Sequence, residues 1–105
     1  MATGSIKASN VITTLTGGNM STSYNAIGVQ FDANRILCIV YLPFYTNNVS
    51  YTISDIGHAV VLGEGNYSGV TVDGKGLNWV RFSIPHSNSN VGCPYIVNLL
   101  FKITL

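Results

Sequence analysis

Charge is what this chain has least of. Of its 105 residues only 9% are Asp, Glu, Lys or Arg, against roughly 25% in an ordinary soluble domain. The five basic residues, Lys7, Arg35, Lys75, Arg81 and Lys102, are scattered, and the formal net charge is +1. No basic stripe exists to neutralise phosphates, which argues against nucleic-acid binding. Long apolar runs are missing as well. The longest, residues 36–44, contains Pro43 and falls far short of the ~20 residues that a membrane-spanning helix needs, so no membrane insertion is expected. Residues 1–7 (MATGSIK) show neither the basic nor the apolar stretch of a secretory signal, and Met1 reads as a translation start.

Metal and nucleotide motifs are also absent. The two cysteines, Cys38 and Cys93, and the two histidines, His58 and His86, fit no finger or ribbon spacing. Cys38 lies inside an apolar run, as a small core residue would. A Cys38–Cys93 disulfide would close a long loop, but nothing in the sequence demonstrates an oxidising compartment. Gly63-Glu64-Gly65 and Gly74-Lys75-Gly76 are isolated glycine pairs, with no helix behind them to present an N-terminus to phosphate. No cofactor is expected.

Ser54, Asp55 and His58 are close in sequence, but no nucleophile elbow surrounds them, and a nucleophile needs a base within hydrogen-bond reach and an orienting group behind it. A turn aspartate beside an exposed histidine is the simpler reading. The four carboxylates, Asp32, Asp55, Glu64 and Asp73, mostly flank turns, where Asp accepts backbone N–H bonds. The chain reads as a non-enzyme.

What is present is apolar, β-branched and glycine-punctuated. Hydrophobic residues reach 47%, enough buried area to offset the entropy of ordering. Length sets one domain over residues 1–105 with a modest core. Residues 3–15 hold one or two strands, and Gly17-Gly18-Asn19 marks a turn. Residues 24–31 form a strand with Ile27, Val29 and Phe31 on one face. Residues 35–42 are the most apolar strand, expected in the middle of a sheet and covered on both sides. Turns at Asp32-Ala33-Asn34 and Thr46-Asn47-Asn48 separate these from strands over 49–54 and 58–62. A glycine-rich loop over 63–69 leads to a short strand at 70–72, and Asp73-Gly74 reads as a tight turn.

Residues 77–84 alternate, with Val80, Phe82 and Ile84 on one side and Leu77 and Trp79 on the other. A polar loop over 85–92 precedes the closing strand, 95–105, where Val97, Leu99, Phe101, Ile103 and Leu105 share a face. Seven to nine short strands at intervals of roughly ten residues are the mark of an all-β antiparallel fold, a jelly-roll-like β-sandwich or a small barrel.

A terminus this apolar needs a cover, from its own sheet or from a neighbouring subunit. So few charges leave little repulsion between copies. Together these predict a homo-oligomer, with Val97, Phe101 and Leu105 at the subunit interface. For ligands, aromatic faces with amides and hydroxyls beside them suit a sugar ring. The candidates are Asn66 and Tyr67 in the loop over 63–69, His86 and Asn88 in the loop over 86–92, and Trp79. The competing reading keeps Trp79 in the core and the Asn-Ser loops as solvated turns.

The Gly, Asn, Ser and Thr-rich turns, the low charge, the 36–44 run (ILCIVYLPF) and the closing strand over 96–105 resemble the small β-domains of tailed-phage virions: tail-fibre tips, receptor-binding heads and capsid decoration proteins. That resemblance implies a homotrimer assembled in the host cytoplasm and carried in the virion. Its partners would be other virion proteins or a host-surface glycan. The short chain from Met1 fits a decoration or accessory protein better than a fibre tip, which usually ends a longer polypeptide. A stand-alone carbohydrate-binding, lectin-like module is the alternative.

Overall fold

The computed structural model describes residues 4–8, 11–15, 19–42 and 51–104, with side chains described for 26–42 and 51–104. They are all-β. The strands are β1 (Gly4–Ala8), β2 (Val11–Leu15), β3 (Asn19–Asp32), β4 (Arg35–Tyr41), β5 (Thr52–Ser54), β6 (Ala59–Val61), β7 (Gly65–Tyr67), β8 (Thr71–Lys75), β9 (Trp79–Pro85) and β10 (Pro94–Thr104). The expected turn over residues 46–48, the run at 43–45 and Leu105 lie outside the described residues.

One hydrogen-bonded sheet contains them all, in the order β7-β6-β10-β3-β4-β9-β8, with β5 against β10 and the β1–β2 hairpin against β3. Every pairing is antiparallel. The spine is the long β3–β10 ladder, which runs from Pro94↔Val29 to Thr104↔Asn19. The sheet curls into a half-barrel. Phe82 on β9 and Phe101 on β10 have two strands, β3 and β4, between them in the sheet, yet their rings meet at 5.0 Å. The two edge strands, β7 and β8, are consecutive in the chain, joined by residues 68–70.

Alternation builds the inside of the curl. On β10, Val97, Leu99, Phe101 and Ile103 are buried, and on β9 Val80, Phe82 and Ile84. Ile36, Cys38 and Val40 of β4 and Ala59 and Val61 of β6 complete the core. Gly28 of β3 also faces inward, and a Cβ there would stand 2.6 Å from the Ile36 Cγ2 and 3.3 Å from the Val97 Cγ2. Only glycine lets three strands close that tightly.

Several expectations change. The strand over 24–31 is longer, beginning at Asn19, and its apolar set faces out: Gly28 and Gln30 are buried, Ile27, Val29 and Phe31 exposed. β4 is covered on one side only, since Ile39 and Tyr41 are exposed. The glycine-rich loop contains β7, because Gly63, at φ +83°, turns the chain back so that residues 65–67 pair with β6. Asp73-Gly74 is not a turn but a register irregularity inside β8, where Asp73 Oδ2 accepts from Arg81 Nε at 2.6 Å. Cys38 and Cys93 are both free, and burial pushes the Cys38 thiol up to about 11, away from reactivity.

Candidate functional site

Two features of this sheet stand apart from ordinary packing: a polar cluster closing one end of the curl, and an apolar outer face.

The cluster forms because β3, β7, β9 and β10 each end there with an inward-pointing polar or aromatic residue. Gln30 is fully buried. Its Nε2 donates to the carbonyls of Asp32 (2.8 Å) and His86 (2.7 Å). That fixes the amide, so Oε1 is the acceptor for the His86 Nδ1–H at 2.9 Å. The other ring nitrogen, Nε2, lies 2.9 Å from Glu64 Oε1, from the turn between β6 and β7. Tyr67 and Tyr95 hold the imidazole edge-on from two sides, each with ring centroids at 5.0 Å. Tyr67 Oη donates to Glu64 Oε1 at 3.3 Å, and Asn88 Nδ2 donates to Tyr95 Oη at 2.6 Å.

The backbone ties the same loop down. His86 and Asn88 N–H groups donate to the carbonyls of Asn34 and Ala33, while the Gln30 N–H reaches Cys93 and the Gly92 N–H returns to Gln30.

These contacts set the local acidities. The hydrogen bond to His86 chiefly holds the Glu64 carboxyl below its ordinary value, with the His86 charge and the Tyr67 hydroxyl adding and desolvation opposing. Desolvation, and then the Glu64 charge and hydrogen bond, push the Tyr67 phenol up. Tyr95 is also raised, first by its hydrogen-bond contact with Cys93 and then by desolvation. Both ring nitrogens of His86 are engaged by Gln30 and Glu64. The geometry is that of a clasp joining the β6–β7 turn to the β9–β10 loop.

The ligand candidates are therefore only partly united. Tyr67, His86 and Asn88 meet around the clasp, but His86 is buried rather than offered on a polar loop, because alternation along β9 continues through Pro85 and turns it inward. Asn66 pairs with Val60 on the opposite face from Tyr67. Trp79 begins β9 at the other end of the strand, beside Tyr41 in the ladder, with its indole against Gly76 and the Arg81 guanidinium above it. Tyr51 closes that end, its hydroxyl donating to the carbonyls of Gly76 (2.7 Å) and Trp79 (3.0 Å). Sequence reasoning missed Gln30 and did not join Glu64 to His86. The signal for Gln30 was its place between Val29 and Phe31, on the face that the alternation left unnamed.

The expected interface residues need correction. Val97 and Phe101 are 0% and 1% exposed within one copy of the chain, so they pack against its own strands and cannot meet a partner. Leu105 lies outside the described residues. The exposed apolar residues of the closing strand are Ile96 and Leu100. They belong to a larger surface. Ile96 pairs with Ile27, Pro94 with Val29 and Val29 with Leu37, while the Leu62 N–H donates to the Ile96 carbonyl. Ile27 is 69% exposed, Leu62 69%, Tyr41 66%, and Val29, Ile39, Val60, Ile96 and Leu100 are also open.

The charged residues beyond this patch, Arg35 on β4, Arg81 on β9, Asp73 on β8 and Asp32 at the end of β3, pair with one another. Arg35 pairs with Asp32 and reaches Asp73, and Arg81 pairs with Asp73. A small open cavity of about 220 Å³, lined by Ile56, Gly57, His58, Ser68, Gly69 and Val70, lies between the β5–β6 loop and the β7–β8 connection. Among the described residues no three His, Cys, Asp or Glu gather as a metal site. Compared with family profiles, curated proteins and solved structures, the chain gives no significant match to any.

Proposed function

We propose that this protein is a non-enzymatic structural component of a virus particle, a decoration or fibre and attachment protein of the tailed-phage kind that works as a homo-oligomer. One observation carries the reading. The outer face around β10, β3 and β4 carries a group of exposed apolar residues, Ile96, Leu100, Ile27, Val29, Ile39 and Tyr41, beside the polar Asn98 and Lys102, and none of the described residues covers it. Monomeric soluble proteins seldom expose contiguous apolar patches beyond a few hundred Å² unless something binds there. The sequence character described above, with its low charge and Asn and Gly-rich turns, supports a particle component over other assembling proteins. The clasp around His86 supports a non-catalytic role, because its imidazole is committed to Gln30 and Glu64.

The test is the absolute mass of the full chain, by light scattering behind a sizing column at several concentrations. An oligomer that persists on dilution supports the reading, and a monomer at every concentration overturns it. A second reading, the stand-alone carbohydrate-binding module, is favoured by the grouping of Tyr67, Tyr95, Asn88 and Glu64 at one end of the curl. A saturable, selective signal on a glycan array, lost in Tyr67→Ala, moves the assignment there.

A further inference from the structure

We propose that the partner of the apolar outer face is the same face of a second copy, the two sheets packing about a two-fold axis that passes near Ile27. The inference rests on the assembly reading above and adds the surface, the partner and the symmetry. Size is the first argument. Large apolar side chains on β6, β10, β3 and β4 and just after β6 stand exposed together, Ile27 and Leu62 by 69% and Tyr41 by 66%, on the scale of the roughly 800 Å² that each partner gives to a standard-size interface.

Charge is the second. On the same side of the sheet Asp32, Arg35, Asp73 and Arg81 are paired with one another, and Lys102 lies toward the far end of β10. A single lysine beyond the paired set is no charged patch that would select a nucleic acid or an acidic peptide. A like copy meets little repulsion, since each carries a formal net charge of +1. The same four residues interrupt the apolar band over β8 and β9, where a lipid-facing surface would have to continue.

The chemistry of the patch is the third. It is mainly Ile, Val and Leu at strand spacing, the composition of the inner faces of packed sheets rather than of a sugar platform. Two such faces pack about 10 Å apart, with strand directions within about 30°. A two-fold pairing uses the one patch twice and closes. Ile27 is central, with Ile96 opposite it on β10 and Leu62 beyond, and it would insert between the partner's corresponding residues.

The experiment compares the full-length chain with Ile27→Asp, with Ile96→Lys as an independent variant should the first fail to fold, and with Thr71→Asp on the polar half as a control. Mass is read by light scattering, and folding by circular dichroism and a melt. The expected result is a dimer for the parent and for Thr71→Asp. Each outer-face variant should be a folded monomer, with dimer affinity weakened at least about thirty-fold, the scale of a lost hot spot. A trimer of unchanged mass in both variants overturns the two-fold pairing while leaving the assembly reading in place, as does a dimer that neither variant disturbs. A parent that is monomeric throughout overturns both.

Discussion

Leu100 and Phe101 are neighbours on β10 with opposite surroundings: Phe101 is 1% exposed against Phe82, and Leu100 is 51% exposed. The contrast repeats at Ile96 beside Val97 and at Ile39 beside Val40. A sheet packed on a core normally carries polar residues on its other side, giving a clean alternation of apolar and polar. At Ile96 and Leu100 on β10, Ile27 and Val29 on β3 and Ile39 on β4 this chain alternates apolar with apolar, while Asn98 and Lys102 keep the ordinary polar outside. The inner set accounts for the fold of one copy, and the outer set has no partner among the described residues.

The sharpest way to break that comparison is to truncate both neighbours. Phe101→Ala should destabilise by about 3–5 kcal/mol, the cost of emptying an aromatic site in a core. Leu100→Ala should change stability by no more than about 0.5 kcal/mol when measured at a dilution where the chain is monomeric. Equal losses in urea unfolding would mean that the outer face is covered within one copy. Next in size is Gln30→Ala. It removes the donor to two carbonyls and the acceptor for His86 Nδ1, and a buried group left without its partner costs about 1–3 kcal/mol. If Gln30→Ala melts like the parent, the clasp does not hold the end of the curl. Smaller again is Tyr51→Phe at the opposite end, where loss of the hydroxyl bonds to Gly76 and Trp79 should cost about 0.5–1.5 kcal/mol.

Much of the fold was legible where one face of a strand is apolar and the other is not. Residues 79–85 announce their register, because Arg81 and Ser83 alternate with Val80, Phe82 and Ile84. Residues 27–31 announce a strand without saying which side is inside. Period two is seen equally well from either face, and Ile27, Val29 and Phe31 look like a core set until the neighbours are known. Gly28 and Gln30 win the inner face for reasons held elsewhere in the chain. Ile36 and Val97 leave no room for a Cβ at 28, and the His86 carbonyl and ring need the Gln30 amide.

The same limit put Val97 and Phe101 on the wrong side. On β10 the longer apolar series is the buried one, and Ile96 and Leu100 are the exposed apolar residues. The candidate site was half legible. Tyr67, His86 and Asn88 meet because the end of β7 and the β9–β10 loop converge, but Glu64 and Gln30 are 22 and 56 residues from His86 in sequence.

The smallest predicted effect separates the polar end of the curl from its apolar faces, because pH acts on one and not on the other. Glu64 is held below its ordinary value of 4.5, chiefly by its hydrogen bond with His86. A carboxyl depressed by folding adds stability that is fully present above its unfolded-state value and is lost as the pH falls through the lower folded-state value. The melting temperature of the parent should therefore fall more steeply than that of Glu64→Gln between about pH 5 and pH 3, and the two profiles should run parallel at higher pH. The side chain is 40% exposed, so solvent screening keeps the difference modest. It should also shrink at high salt, where the charge part of the contact is screened. Parallel profiles down to low pH would mean that Glu64 is free in solution. The β6–β7 turn would then be tethered by its backbone pairing alone, and the end of the curl would depend on Gln30 and the two tyrosines rather than on an acid–imidazole contact.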